Sequence, residues 1–432
     1  MARQKGLLKG KMLKRVIIIL LFLNILLASF IFGYSIARKS YEAGEDSNKP
    51  GGSTASPSGD QPAEDTIQEP KDPIKEQIKG MTLEEKIGQM VVVGLEGYNV
   101  DEKARKMIED YKIGGFVLFG RNIKDSGQLL ELTNSLKEVN RKNKIPLFIS
   151  VDEEGGRVTR MPEELKKLPA AGVIGKTGDE SYSFEVGRTI AGEIKALGFN
   201  MNFAPVLDIN SNPKNPVIGD RAFGSEPEVV TRLGVQAMKG IQSEDIIPVV
   251  KHFPGHGDTS TDSHVGLPRV DNGLDRLKSF ELLPFKKAIE NGADAVMVAH
   301  ILLPEIDPDY PSSLSEIVIN DILREDCGFD GVVFTDDITM GAITENYDIG
   351  DAAVKSVSAG ADIVLVCHGY DREEAVINAL KSAVSKGDIR EERLDESLYR
   401  ILKLKEKYGL ADDRIDSVNI EEINSRIDAV LR

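Results

Sequence analysis

The chain is predicted to fold as α/β, a single (β/α)8 TIM barrel preceded by a transmembrane helix and a disordered linker. Three observations carry that expectation. From about residue 74, eight short apolar runs alternate with amphipathic stretches. The runs are continuous rather than alternating in polarity, as in a parallel sheet covered by helices. Charged and polar residues fall just past the C-terminal ends of six runs, which is where a barrel gathers its functional side chains. An open doubly wound sheet is the alternative on periodicity alone, but it would scatter those residues along a line.

The elements follow in order. Residues 1–15 form a basic segment, and residues 1–41 hold eight Lys or Arg and no acid. Residues 16–37 carry no charge, and Asn24 is their only strong polar interruption. At ~1.5 Å per residue, such a run spans the roughly 30 Å hydrocarbon core of a membrane. The positive charges ahead of it put the N-terminus inside and everything after it outside. A cleavable signal ending at Ser35-Ile36-Ala37 is the rival, but the run exceeds the usual core of about 7–15 residues. An uncleaved anchor is therefore expected, with the working domain on the outer face of the cell membrane, or secreted if cleavage occurs. Residues 38–73 mix Pro, Gly and Ser with acids, have little to bury, and read as a disordered tether.

Residues 74–411 are expected to form the barrel and 412–432 a C-terminal extension. Thr82-Leu83-Glu84-Glu85 has the capping-box pattern of a helix start. Strands are expected at 90–93, 116–119, 147–151, 200–204, 248–251, 295–299, 332–335 and 363–366. Among the helices expected between them are 100–110, 128–140, 229–242, 279–291 and 352–359.

Composition narrows the function. The net charge is −16, so the chain beyond residue 41 carries −16 − 8 = −24. A surface that acidic argues against nucleic acid, which needs a basic footprint. There is no Trp, so no indole can stack on a ligand. Cys327 and Cys367 read as small buried hydrophobes rather than as a disulfide.

Chemistry concentrates at the strand ends. Asp152, Asp208, Lys251-His252, His300, Asp336 and His368 follow or end strands three to eight. The segment from Lys251 to His264 contains Pro254, Gly255 and Gly257 and must be a shaped loop. A metal held by His252, His256, Asp258 and His264 is one reading, although Pro254-Gly255 interrupt the helix-face spacing that would suit it. Bracing of the loop is a second, best suited to His256 and Asp258. Acid/base work is the third, with Asp262 orienting the His264 ring. Asp336 leaves a buried strand toward the same face, as a nucleophile or substrate ligand would, and Asp337 suits a turn cap. A carboxylate nucleophile and a proton shuttle are the minimum for a retaining glycosidase.

These residues resemble glycoside hydrolase family 3, in its β-N-acetylhexosaminidase branch. The resemblance rests on residues 81–90, 151–158, 203–208 and 218–224, on the 251–264 loop, and on Thr335-Asp336-Asp337. It implies that Asp336 is the nucleophile of a covalent glycosyl-enzyme, His264 the general acid/base and Asp262 its orienting partner. It further implies that Asp152, Arg160, Arg221, Lys251 and His252 bind the terminal sugar, with His300 lining the same pocket. No cofactor and no metal are implied. The two-domain β-glucosidases of that family take their acid/base Glu from a second domain. The chain is expected to lack that domain, which favours the hexosaminidase reading. The expected substrates are cell-wall muropeptide glycans or chitin-derived oligosaccharides. A β-glucosidase or β-xylosidase, a glycoside phosphorylase and a non-catalytic tethered sugar-binding protein are the alternatives.

Overall fold

The computed structural model describes residues 72–264 and 266–431. The expected membrane segment 16–37 and the linker up to residue 71 lie outside the described residues. Among the described residues, no helix is long and apolar enough to cross a membrane.

Eight parallel strands close into a barrel in sequence order. They are β1 Val91–Gly94, β2 Gly115–Leu118, β3 Phe148–Val151, β4 Met201–Asn202, β5 Ile247–Phe253, β6 Ala295–Val298, β7 Val332–Asp337 and β8 Ile363–Val366. Strands buried on both faces explain the unbroken apolar runs. β1 meets β8 through Val92↔Leu365, which removes every sheet edge. Gly94 is needed at this seam, because a Cβ there would lie 2.0 Å from the Cys367 carbonyl oxygen.

Three strands differ from expectation for local reasons. β4 has only two residues, because side-chain amides replace the ladder around it. Asn200 Oδ1 accepts from Ile149 N at 2.9 Å and its Nδ2 donates to Leu147 O at 2.9 Å. Asn202 bridges Glu153 N and O in the same way, at 3.0 and 2.8 Å. β5 runs on through His252 to Phe253, with an irregular register between Val250 and Phe253. β7 runs on to Asp337, with a shift between Phe334 and Asp337. Such bulges bend the barrel rim and re-aim its side chains. Here they turn Lys251, His252 and Asp336 toward the mouth.

The expected helix 279–291 is two helices, Leu274–Ser279 and Leu283–Glu290. Pro284 falls in the first turn of the second, where its missing N–H costs nothing. The Thr82 capping box forms, with Glu85 N donating to Thr82 Oγ1 and Thr82 N to Glu85 Oε2.

Inside the barrel, Phe148, Phe203 and Phe334 pack edge to face at 6.5 and 5.9 Å and make the floor beneath the mouth. Below them, Lys405 Nζ lies 4.3 Å over the Phe148 ring. It donates to Gln89 Oε1, Gly114 O and Pro146 O, and burial pulls its pKa down to about 7. Both cysteines are buried and free.

Candidate active site

The mouth is built on a buried ion network. Lys251 Nζ bridges Asp152 Oδ1 at 2.5 Å and Glu154 Oε1 at 2.8 Å. Arg221 grips the same Glu154 with two parallel bonds, Nε to Oε2 at 2.8 Å and Nη2 to Oε1 at 2.7 Å. Burial alone would raise the Glu154 pKa, but the two cations outweigh it and hold the carboxyl well below the usual range. Burial would likewise lower Lys251, and its two carboxylates reverse that. Two anions and two cations thus cross-link the ends of β3 and β5 to the segment after β4. The geometry leaves Asp152 partly open to the cavity, at 21% exposure.

A second unit stands beside it. His252 Nδ1 donates to Asp208 Oδ2 at 2.6 Å, which turns Nε2 toward Arg221 Nη2 at 3.5 Å. Asp208 also accepts from His256 N at 2.7 Å. Burial works against its charge, yet the two histidines and these donors bring its pKa below the ordinary value. His256 is spent inside the loop. Its ring meets Thr259 Oγ1 at 2.7 Å and Ser263 Oγ at 3.3 Å, and burial lowers its pKa to about 4. Asp258 accepts from Ser211 and Asn272. Gly257 allows this loop to lie on the β4 segment, since a Cβ would sit 1.7 Å from Ile209 O. Among the described residues, no three His, Cys, Asp or Glu side chains form a metal-holding group.

Asp336 faces the cavity from β7. Burial would raise its pKa. The imidazoles of His300 and His252, the Asp337 N–H at 2.8 Å and Lys251 overcome that and lower it. Asp337 points the other way, accepting from Thr339 N, Thr339 Oγ1 and Cys367 N, and so caps the turn. His300 is not brought into the cavity. It is fully buried, its Nε2 donates to Asp337 O at 2.9 Å, and its Nδ1 accepts from Ser313 Oγ at 2.6 Å. A ring with both nitrogens bonded to protein has nothing left for a sugar. It braces the end of β7 instead, and burial depresses its pKa.

The loop beyond β5 brings Asp262 and His264 to the rim of the same cavity. Asp262 Oδ1 accepts from the main-chain N–H of His264 at 2.9 Å, and the His264 side chain is exposed. Asp262 therefore fixes the backbone that carries the imidazole, not the ring itself. Arg160 also lines the cavity. Its N–H donates to Glu153 Oε2 at 2.8 Å, and among the described residues its guanidinium bonds only Thr159 O, at 3.4 Å.

The resulting cavity is about 280 Å³ and gathers Asp152, Arg160, Arg221, Lys251, His252, Asp262, His264 and Asp336. Sequence reasoning gave no role to three further residues. Glu154 is the hub of the ion network, and its signal was the adjacent acid in Asp152-Glu153-Glu154. Asp208 stands just past a strand in the sequence, 44 positions from His252, and no local pattern pairs the two. His368 reaches the cavity wall beside Phe119, with ring centroids 5.3 Å apart, and lies 3.7 Å from Asp337 Oδ2.

A carboxylate kept ionised in a sugar-sized pocket, with an imidazole at the rim of a (β/α)8 barrel, is an arrangement suited to glycoside hydrolysis. Comparison with known proteins agrees. Residues 82–404 match the family described as glycosyl hydrolase family 3 N terminal domain. Beta-hexosaminidase A of Pseudoalteromonas piscicida is 36% identical over 327 residues, covering 70% of this chain but only 54% of that relative. Beta-hexosaminidase of Nitrosomonas eutropha is 32% identical over 345 residues, covering 77% of this chain and 98% of the relative. The solved structure of a family 3 β-N-acetylglucosaminidase from a Paenibacillus species superposes with a TM-score of 0.77 at 42% identity, over 81% of this chain and 68% of the other. The chain belongs to glycosyl hydrolase family 3.

Proposed function

We propose that the protein is a retaining exo-β-N-acetylhexosaminidase that removes terminal β-N-acetylglucosamine from cell-wall or chitin-derived oligosaccharides. The observation that carries this reading is the placement of Asp336, with its lowered pKa, in one small cavity with His264 and the Asp152–Lys251–Glu154–Arg221 network. In this reading Asp336 attacks the anomeric carbon, and the glycosidic bond breaks as His264 gives a proton to the leaving oxygen. His264 then takes a proton from water as it displaces Asp336. Asp152, Arg160, Arg221, Lys251 and His252 hold the sugar hydroxyls. An exposed His264 ring suits a group that must meet both a leaving sugar and incoming water. The relatives named β-hexosaminidase and the Paenibacillus β-N-acetylglucosaminidase support the choice of an acetamido sugar.

The tether is part of the proposal. The charge-free run 16–37 with basic residues before it supports a single membrane pass, with the barrel outside the cell. An exported, anchored enzyme fits peptidoglycan-derived fragments as its first substrate class.

The test uses the full chain in detergent. Release of p-nitrophenol from the β-N-acetylglucosaminide is compared with release from the β-glucoside, and the first-formed anomer of the sugar product is read by NMR. A strong preference for the acetamido sugar with the β-anomer formed first is expected. Inversion, or equal rates on both sugars, would overturn the reading.

A further inference from the structure

Beyond the last strand, the chain does not simply trail away from the barrel. Residues 408–419 run along the helix Ser126–Asn140. Asp412 accepts from Asn140 Nδ2 at 2.6 Å, and Ile415 exchanges two main-chain bonds with the Asn134 amide, both at 2.9 Å. The helix Ile420–Val430 follows, capped by Asn419, and buries Ile423 and Ile427 against the helix Glu180–Ala196. These residues lie outside the family match, which ends at 404.

The helix ends beside the loop that follows β3, and this loop also forms part of the pocket. Asn424 behaves as a surrogate strand there. Its Nδ2 donates to Glu164 O at 2.9 Å, and its Oδ1 accepts from Lys166 N at 2.8 Å. Lys166 Nζ adds two bonds of 2.7 Å to Asp428. Glu164 is fixed from its other side by Ser126, whose N and Oγ donate to Glu164 Oε2 at 2.8 and 2.6 Å. Four residues before Glu164 stands Arg160, whose main chain is held by Glu153. With no carboxylate partner among the described residues and only a 3.4 Å bond from its guanidinium to the neighbouring Thr159 O, Arg160 depends largely on its backbone for aim.

We propose that the helix Ile420–Val430 is a positioning element for the sugar pocket, acting through Asn424 on the loop that presents Arg160. The inference rests on the pocket being a sugar site. It predicts control of ground-state binding rather than of bond breaking, because the helix touches neither Asp336 nor His264. The exposed Lys166–Asp428 pair contributes little. The Asn424 amide carries the effect.

The experiment measures kcat and KM on p-nitrophenyl β-N-acetylglucosaminide, and Kd for free N-acetylglucosamine, for the full chain and its Asn424→Ala, Asn424→Asp and Arg426→Ala variants. Losing the paired amide bonds is expected to raise KM and Kd about fivefold, with kcat within about twofold. Asn424→Asp keeps the acceptor for Lys166 N and should fall between. Arg426 pairs only with Glu422 of its own helix among the described residues, so Arg426→Ala should match wild type. Asn424 is partly exposed, so its truncation leaves the fold intact. Unchanged KM and Kd in Asn424→Ala, with or without a lower Tm, would overturn the proposal. If wild type binds the sugar without cleaving it, the enzyme reading fails. A weaker Kd in Asn424→Ala would still support the positioning role.

Discussion

The imidazole of His252 donates through Nδ1 to Asp208 at 2.6 Å, and neither residue could choose its orientation alone. The bond sets the tautomer and aims Nε2 at the pocket, where Arg221 lies 3.5 Å away. Asp208→Asn would put an amide where the ring needs an acceptor. We expect kcat/KM to fall about 10–100-fold, by analogy with the partners that orient metal-bound histidines. The acid limb of the stability curve should also change. The Asp208 pKa is lowered on folding, so its contribution is present above its unfolded value and is lost as pH falls through the folded one. Thermal melts of the variant and wild type between pH 3 and pH 7 should therefore converge at the acid end.

Asp336→Ala removes the proposed nucleophile. Hydrolysis should fall by about 10⁴-fold or more, since removing a covalent nucleophile disables the whole unit. Binding of N-acetylglucosamine, followed by calorimetry, should survive. Loss of binding together with activity would move Asp336 from nucleophile to sugar ligand.

His264→Ala should lower kcat about 10²–10⁴-fold on sugar leaving groups and less on p-nitrophenol, which departs without a proton. Asp262 holds the main chain at His264, so Asp262→Asn, which keeps an acceptor for that N–H, should be milder than Asp262→Ala. A ratio of one between the two variants on chitobiose would show that the carboxylate charge matters, not the loop bond.

Lys251→Met leaves Asp152 and Glu154 facing each other without their shared cation. Breaking a buried pair from one side costs about 3–5 kcal/mol, which here would appear as a lower Tm together with a higher KM. The double variant Lys251→Met/Asp152→Asn should recover part of the Tm, because Arg221 still pairs with Glu154 while the carboxylate left without a cation is neutralised. Failure to recover would mean that the loss comes from the missing Lys251 packing rather than from an unpaired Asp152.

Behind the pocket, burial raises the Glu153 pKa to about 7 and, with Glu153 as neighbour, that of Glu193 to about 9. Both carboxyls are favoured protonated in the fold. Their contribution is thus complete below their unfolded pKa, near 4.5, and is lost as pH rises through about 7 and then about 9. Glu193→Gln, which stays neutral, should melt above wild type by a margin that widens from pH 6 to pH 9. A constant margin would contradict the burial account.

The sequence by itself determined the barrel: continuous apolar runs between amphipathic helices call for a parallel sheet covered on both faces, and polar residues past the ends of six runs favour a closed barrel over an open sheet. It also marked Asp336, Lys251 and the 251–264 loop, since charged groups at strand ends need a function or a partner. Tertiary structure alone decided which acids and bases meet. Lys251 and Asp152 are 99 positions apart, and only the parallel pairing of β3 and β5 on either side of β4 brings them together. His300 sits at a strand end like His252. The Ser313 hydroxyl and the Asp337 carbonyl turn it inward, and both partners come from later in the chain. Nor does any local pattern reveal that Asn424 closes a loop 260 residues earlier. Periodicity records which face is buried. Pairing depends on register, bulges and long-range packing, and these are fixed only when the whole chain is folded.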